Sequence, residues 1–292
     1  MNACIENREE CVDHIPGIPS ALVADFPKSR SEQVLQRIQE MLTWVTKAQC
    51  ILFPSVYELE RQAIDALKAE FSFPIYSIGP AIPCLKRGRA NAGMDYMQWL
   101  DKQPGDSVLY VSHGSFLSAS GEEMDELAAG LRESQVRFLW VAREESPRVK
   151  ESSGELGMVV PWCDQLKVLS HTSVGGFWTH CGWNSIKEGI SSGVPFLTFP
   201  FVMDQIPNSK LVVEDCKIGW RVRDKTRQSI ADLVCRFMDP QNVESKEMRR
   251  RAKQLQEICQ ISGREGGSSE TNTNAFIDHI FKISQQGCRI GL

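Results

Sequence analysis

The clearest chemical pattern in the sequence is a polar turn, His180 to Ser185, which follows an apolar strand candidate at Val174–Trp178 and opens a helix candidate. The free N–H groups of a helix start form an anion site, and the positive end of the helix dipole reinforces it. His180 and Ser185 add side-chain donors. Glu188 lies one turn further on, where its carboxylate can accept two hydrogen bonds from a ribose diol. These residues predict a site for a phosphate that is attached to a ribose.

Two more polar residues, Asp204 and Gln205, follow the next strand candidate, Pro195–Pro200, at the same carboxyl edge of the predicted sheet. A carboxylate beside an amide suits the vicinal hydroxyls of a sugar. The pair therefore extends the predicted phosphate and ribose site toward a sugar.

Each of these residues also has a plainer interpretation when it is taken singly. His180 would more often be a structural histidine, and no other His or Cys has metal-ligand spacing to His180 and Cys181, so no metal is predicted. The remaining candidates would be core aromatics or helix-ending signals: Trp162, Trp183, Gly189, Gly193 and Pro195. The ordered combination favours a ligand site, because phosphate, ribose and sugar contacts follow one another on adjacent strand ends.

A weaker candidate is the loop Ser112-His113-Gly114-Ser115-Phe116, which follows another buried strand candidate. Ligands of open α/β sheets lie at the carboxyl ends of strands, and a small residue there lets backbone N–H groups approach a phosphate. A serine-hydrolase elbow would need glycines where His113 and Leu117 stand, so we discount it. Many strand-to-helix turns contain Gly or Ser for conformational reasons alone.

Composition excludes several other classes of protein. The 292 residues are 42% hydrophobic and 24% charged with a net charge of -4, which favours a globular fold and argues against a nucleic-acid partner. The ten cysteines form no C-x-x-C pair, so we expect reduced thiols and a cytoplasmic protein. The N-terminus has no apolar signal core, and no apolar run is long enough to span a membrane.

Short apolar runs alternate with amphipathic stretches from about Ser107 onward, and this pattern predicts a parallel sheet that is covered on both faces. The strand candidates are Ser107–Ser112, Arg137–Ala142, Gly157–Val160, Val174–Trp178, Pro195–Pro200 and Lys217–Val222. The helix candidates are Gly121–Ser134, Asp164–His171, Trp183–Ser192, Asp204–Cys216, Gln228–Met238, Glu244–Ile261 and Glu270–Ser284.

The first hundred residues differ from the rest. They predict helices at Ser31–Lys47 and Tyr57–Glu70, strands at Cys50–Phe53 and Pro74–Ile78, and a linker at Pro80–Gly93. Two strands make a poor parallel sheet alone. The region is therefore interpreted either as the end of a larger domain or as a small helical extension of the second domain.

The segment from Trp162 to Gln205 resembles the signature box of plant family-1 UDP-glycosyltransferases over its full length. The run His180-Cys181-Gly182-Trp183-Asn184-Ser185 matches the most specific part of that box. The similarity extends outside the box, to Val111–Ser115, Glu247–Ala252, Gly266–Ser269, Ile15–Pro19 and Ile78–Pro80. The box usually begins Trp-Ala-Pro, whereas this chain has Cys163-Asp164 after the tryptophan.

The resemblance implies a role for each residue of a donor site. Trp162 would stack on uracil, and the backbone of Cys163 and the side chain of Gln165 would contact the uridine. The diphosphate would be held by Ser115, His180, Asn184 and Ser185, with Gly182 in the same turn, and the ribose by Glu188. The sugar would contact Trp183, Asp204 and Gln205, and the terminal glutamine would favour glucose over galactose. The donor would be a UDP-sugar, with no cofactor.

The family fold implied is GT-B, two Rossmann-like domains. Residues 1–93 would be a partial N-terminal acceptor domain with its linker, 94–268 the donor domain, and 269–292 a helix that packs back on the N-terminal part. The family's general base, a histidine supported by an aspartate, is expected upstream of Met1, because His14 does not match it. The stretch Arg223–Ser229 also looks shorter than the family's loop.

The expected activity is inverting transfer of a hexose to a hydroxyl or carboxyl of a small acceptor. Without the base, we expect UDP binding with little or no transfer. We also expect a monomer if the protein is intact and aggregation if it is truncated. A non-catalytic nucleotide-sugar binding module stays an alternative, whereas a Rossmann oxidoreductase would need a G-x-G-x-x-G motif, which the sequence lacks.

Overall fold

A computed structural model describes residues 11–12, 16, 21–22, 32–80, 95–114, 121–142, 155–202 and 204–289 of the chain. The chain forms two compact units, one of residues 1–82 with 257–292 and the other of residues 83–256. In the described residues, no helix combines the length and the apolar character that crossing a bilayer requires.

The second unit is built on a six-stranded sheet, all of whose described pairings are parallel. In chain order the strands are β5 (Val108–Ser112), β6 (Arg137–Val141), β7 (Gly157–Val160), β8 (Val174–Thr179), β9 (Phe196–Thr198) and β10 (Gly219–Arg221). Their spatial order is β10-β9-β8-β5-β6-β7. Every residue of β5 and β8 is buried, so both faces of the sheet centre are covered, as the apolar runs predict.

Helices surround this sheet and bury a core that includes Leu109, Trp140, Trp178 and Phe237. They are α3 (Asp95–Asp101), α4 (Gly121–Glu133), α5 (Gln165–Leu169), α6 (Trp183–Ser192), α7 (Gln205–Lys210), α8 (Arg227–Met238) and α9 (Val243–Ser262). The division between the two units falls within α9. Helix α6 ends at Gly193, whose φ of +69° is the left-handed conformation that the sequence suggests for a helix stop.

One prediction for this unit needs correction, and one of its helices was not predicted. The predicted helix Asp204–Cys216 is α7 followed by a π-helical turn, Leu211–Asp215, in which the N–H of Cys216 donates to the carbonyl of Leu211. An i-to-i+5 bond of this kind inserts one extra residue that the 3.6-residue apolar pattern does not reveal. Helix α3 was not predicted, because seven residues span barely two turns and give little periodicity.

The first unit contains a parallel pair of strands, β3 (Ile51–Phe53) and β4 (Ile75–Ser77), and an antiparallel pair, β1 (Cys11–Val12) and β2 (Ala21–Leu22), which the sequence did not suggest. Its helices are α1 (Glu32–Val45), α2 (Arg61–Glu70) and α10 (Ser268–Arg289). The start predicted for α2 at Tyr57 is wrong by four residues, because hydrogen-bonded turns occupy residues 56–60. Helix α10 also runs beyond its predicted end at Ser284.

Large apolar side chains stay exposed on two helices of the first unit. On α1 the exposed fractions of Met41 and Trp44 are 67% and 69%, and on α10 that of Phe281 is 64%. An apolar surface of this kind is usually covered by a partner or by further chain.

Candidate functional site

The predicted anion site is a turn between β8 and α6. Cys181 has a φ of +68°, and Gly182, the N-cap residue of α6, has no side chain to satisfy the helix start. The first helical bond runs from the N–H of Ile186 to the carbonyl of Gly182 (3.1 Å), so the N–H groups of the preceding three residues point out of the helix end. The turn therefore offers backbone donors at the positive end of a ten-residue helix.

The imidazole ring of His180 lies between two glycines. A methyl group added at Gly182 would come within 2.6 Å of His180 Nε2, and one added at Gly114 would come within 2.8 Å of the same atom. Gly114 also has a φ of +77°. Any larger residue at either position would therefore displace the ring.

Burial lowers the pKa of His180, while a hydrogen bond with the backbone of Ser112 and the charge of Asp204 oppose that shift. The ring is therefore neutral at pH 7 and carries one N–H group. Its Nδ1 atom is buried and has no hydrogen-bond partner in the described structure. A ring nitrogen in that state is costly to the folded protein unless a ligand or water satisfies it.

A hydrogen-bonded group joins α5 to α6 beside this turn. Gln165 Nε2 donates to Glu188 Oε2 (2.7 Å) and to Ser185 Oγ (3.3 Å). Burial raises the pKa of Glu188, and the bond from Gln165 partly offsets that rise. Three residues that the sequence assigned to uridine, phosphate and ribose are thus brought into direct contact.

Trp162 and Cys163 follow β7 and have opposite surroundings. The indole of Trp162 is 54% exposed, which is unusual for so large an aromatic side chain and leaves a flat face open. Cys163 is buried, and that burial raises the pKa of its thiol to about 12. The thiol is therefore neutral and can donate a hydrogen bond.

At the end of β9, three polar side chains are tied to the same edge of the sheet. Gln205 Oε1 accepts from the N–H groups of Phe201 (2.9 Å) and Val202 (3.1 Å), and its amide nitrogen has no hydrogen-bond partner among the described residues. Asn208 Nδ2 donates to Asp204 Oδ2 (3.0 Å) and to the carbonyl of Cys181 (3.0 Å). Asn208, to which the sequence gave no role, thus links Asp204 to the anion-binding turn.

The described residues of the predicted site all belong to the second unit and lie at the carboxyl ends of its strands or in the helices that follow. Trp183 is half-buried and Asn184 is exposed in the first turn of α6. Ser115 lies outside the described residues. The structure thus places the described residues along one edge of the sheet, and the role of each residue toward a ligand stays a prediction.

His113, at the end of β5, is a buried histidine that the sequence did not single out. Its ring packs edge-on against four aromatic rings at centroid distances of 5.4 to 6.4 Å, those of Trp140, Trp178, Phe199 and Phe201. Neither ring nitrogen has a hydrogen-bond partner in the described structure. Burial, aided by the nearby His180, lowers the pKa of His113 to about 3, so the ring is neutral.

The fold defines a Rossmann-like α/β unit, and the predicted anion site lies at the start of α6, where β8 ends. A family model described as "UDP-glucoronosyl and UDP-glucosyl transferase" matches residues 21–236, and the chain belongs to that family. The chain is 48% identical to UDP-glycosyltransferase 87A1 of Arabidopsis thaliana over 94% of its own length and 65% of that protein's. It is 47% identical to UDP-glycosyltransferase 87A2 of the same plant, of which it covers 63%. The chain thus spans about two thirds of the length of these relatives.

Solved structures agree with this assignment. UGT2 of Phytolacca americana, complexed with UDP-2fluoro-glucose and pterostilbene, superposes with a TM-score of 0.85 at 31% identity, over 95% of this chain and 66% of that one. Os79 of O. sativa, in complex with UDP, gives a TM-score of 0.75 at 32% identity, over 84% and 58% of the two chains. The resemblance inferred from residues 162–205 is confirmed, and the fold is that of the GT-B glycosyltransferases.

Proposed function

We propose that this chain holds the donor site of a glycosyltransferase that moves a hexose from a UDP-sugar to a hydroxyl or carboxyl of a small acceptor. The observation that carries the proposal is the convergence of three features: the uncapped start of α6, the neutral ring of His180, and the Glu188–Gln165–Ser185 group. Together they supply hydrogen-bond donors for a phosphate beside a hydrogen-bond acceptor for a ribose. The complexes of Phytolacca americana UGT2 with UDP-2fluoro-glucose and of Os79 with UDP support a donor of this class.

The geometry suggests how the parts of the donor would be shared out. The diphosphate would lie against the N–H groups of Trp183, Asn184 and Ser185, with the ring of His180 at their side. The ribose hydroxyls would donate to Glu188, and uracil would stack on the open face of Trp162. The sugar would meet Asp204 as an acceptor and the amide nitrogen of Gln205 as a donor, and we propose glucose as that sugar.

In the proposed reaction, the acceptor oxygen attacks the anomeric carbon while the bond to the UDP oxygen breaks, so the carbon inverts in one displacement. A base takes the acceptor proton, and none of the residues assigned above to the donor site is proposed as that base. The departing UDP gains negative charge at the start of α6, where the helix end and His180 stabilise it. This chain's contribution is therefore to hold and stabilise the leaving group.

Replacing His180 with alanine tests the phosphate site. We expect UDP affinity, measured by calorimetry on the 292-residue chain, to fall by about 10- to 100-fold, because a hydrogen bond to a charged group contributes about 1.5–3 kcal/mol. The affinity for uridine, which lacks phosphate, should change little. His171→Ala is a matched control, since His171 bonds to Ser173 and Asp101 rather than to the turn. UDP binding that survives both His180→Ala and Glu188→Ala would overturn the site.

Adding one methyl group at Gly182 tests the position of the His180 ring. The backbone of Gly182 has a φ of −59°, which alanine can adopt, so the new methyl acts by pushing the ring away from its place. We expect UDP affinity to fall by about tenfold or more with little change in thermal stability.

Gly263→Ala is the control for this variant, because a methyl there would meet its nearest neighbour, a carbonyl oxygen, at an ordinary 3.8 Å. Equal UDP affinity in the two variants would show that the ring of His180 is not part of the anion site.

Transfer is tested separately from binding. The 292-residue chain is incubated with UDP-glucose and a phenolic acceptor, and UDP release and glucoside are measured together. The proposal of a donor site without its base predicts binding with little glucoside. Robust transfer by this chain would show instead that a base lies within it, and would leave the donor site standing.

A further inference from the structure

A chain of hydrogen bonds leads from the sheet interior to the proposed ribose-binding carboxylate. The hydroxyl oxygen of Tyr110, on β5, lies 3.4 Å from Cys163 Sγ. The same hydroxyl donates a hydrogen bond to Gln165 Oε1 at 3.2 Å. Gln165 Nε2 in turn donates to Glu188 Oε2 at 2.7 Å. None of the roles proposed above uses the hydroxyl of Tyr110, which is 1% exposed and cannot meet a ligand directly.

The protonation states of these groups determine which group donates and which accepts in each hydrogen bond. Burial raises the pKa of Tyr110 well above its usual range, and burial raises that of Cys163 to about 12, so both groups keep their protons. Cys163 can donate to Tyr110, Tyr110 donates to Gln165, and Gln165 donates to Glu188. Every donor then faces an acceptor, and this series of hydrogen bonds ends at the carboxylate of Glu188.

The carboxylate of Glu188 decides which way the carboxamide of Gln165 points, and the hydroxyl of Tyr110 holds the carboxamide in that orientation by donating to its oxygen. If the carboxamide were flipped, its oxygen would face the carboxylate of Glu188, and its nitrogen would lie where Tyr110 now donates. Two acceptors in contact in a half-buried position are unfavourable. With the observed orientation, Glu188 Oε2 is held by Gln165, and Oε1 has no hydrogen-bond partner in the part of the chain that the structure describes.

We propose that Tyr110 is a positioning residue for ribose recognition, acting through Gln165 on Glu188. The inference rests on the proposed function, since it needs the ribose of UDP to bind at Glu188. It also links ribose and phosphate, because Gln165 Nε2 donates to Ser185 Oγ (3.3 Å) and so turns the hydroxyl proton of Ser185 away from Gln165. The buried hydroxyl of Tyr110 thus orients, through Gln165, the two side chains proposed to contact UDP, those of Glu188 and Ser185.

Tyr110→Phe tests the proposal, because it removes the hydroxyl and keeps the ring that stacks on Phe177 at 5.0 Å. Calorimetry on the full chain compares UDP with 2′-deoxy-UDP, which lacks one ribose hydroxyl. We expect UDP affinity to fall by about 5- to 10-fold and 2′-deoxy-UDP affinity by less than about 2-fold, so that the preference for the ribose hydroxyl shrinks. A merely structural role would weaken both ligands alike.

The control is Tyr57→Phe, which removes a hydroxyl bonded to Asp65 in the other unit and should leave both affinities unchanged. If Tyr110→Phe does not fold, Gln165→Met interrupts the same series of hydrogen bonds at the next residue. This variant should also lose the preference for UDP over 2′-deoxy-UDP. An undiminished preference for UDP in either folded variant overturns the proposal. Failure of the unmodified chain to bind UDP would overturn the proposed function itself, and this inference with it.

Discussion

Glu188→Gln should weaken the binding of UDP by about 10- to 100-fold, because it replaces a carboxylate by a neutral amide at the predicted contact with the ribose diol. The substitution keeps the size of the side chain, so lost packing does not explain the effect. The new carboxamide can still accept from Gln165 Nε2, which now donates to Glu188 Oε2, but its nitrogen then stands where the second carboxylate oxygen would accept from the ribose. Calorimetric titration at pH 7.5 measures the change.

Glu133→Gln is the matched control, since Glu133 is an exposed residue of α4 that pairs with Arg227 at 3.6 Å. Its UDP affinity should stay within about twofold of the unmodified chain, as expected for an exposed ion pair of little energetic weight. Equal losses in the two variants would indicate a general effect of charge and would contradict the ribose contact.

His113→Phe should stabilise the second unit by about 1–3 kcal/mol at pH 7, the usual cost of a buried polar group without a partner. The ring is 4% exposed and surrounded by aromatic side chains, and phenylalanine replaces it with a flat ring that has no polar atoms. Chemical denaturation, followed by tryptophan fluorescence, measures the gain, because Trp140 and Trp178 border the site.

The gain should also grow as the pH falls. Burial lowers the pKa of His113 to about 3. Between pH 6.5 and 3, His113 is therefore protonated in the unfolded chain but neutral in the folded chain. The stability of the unmodified chain therefore declines from pH 6.5 toward 3, by about 1.4 kcal/mol per pH unit from this group, and the variant lacks that decline. His171→Phe is the control, because both ring nitrogens of His171 are hydrogen-bonded, one to Ser173 and one to Asp101. A pH-independent gain in His113→Phe would contradict the buried neutral state.

The central sheet was predictable from the sequence because its strands are nearly uniform in apolar residues. Val108–Ser112 and Val174–Thr179 are buried along their whole length, so no alternation had to be resolved. Helix α6 was predicted with its observed bounds, since a polar turn precedes it and Gly193 ends it. Where local chemistry and burial agree in this way, the sequence is sufficient.

Contacts between distant segments could not be predicted. Tyr110 is separated from Cys163 and Gln165 by more than fifty residues, and only the parallel arrangement of β5 and its neighbours brings them together. The unpartnered ring of His113 is equally invisible in the sequence, because the four rings around it come from three other strands and their ends. Local spacing predicts which residues reach the sheet edge, but not which neighbours orient them.

The left-handed backbone of Cys181 has a consequence for the energetics of recognition. A non-glycine residue at a φ of +68° is held there by its surroundings, here by Asn208 on its carbonyl and by Thr179 Oγ1, which accepts from its N–H (3.3 Å). The conformational cost of the turn thus falls on folding rather than on association. A diphosphate that binds at the proposed site would therefore meet a turn whose backbone conformation is already in place.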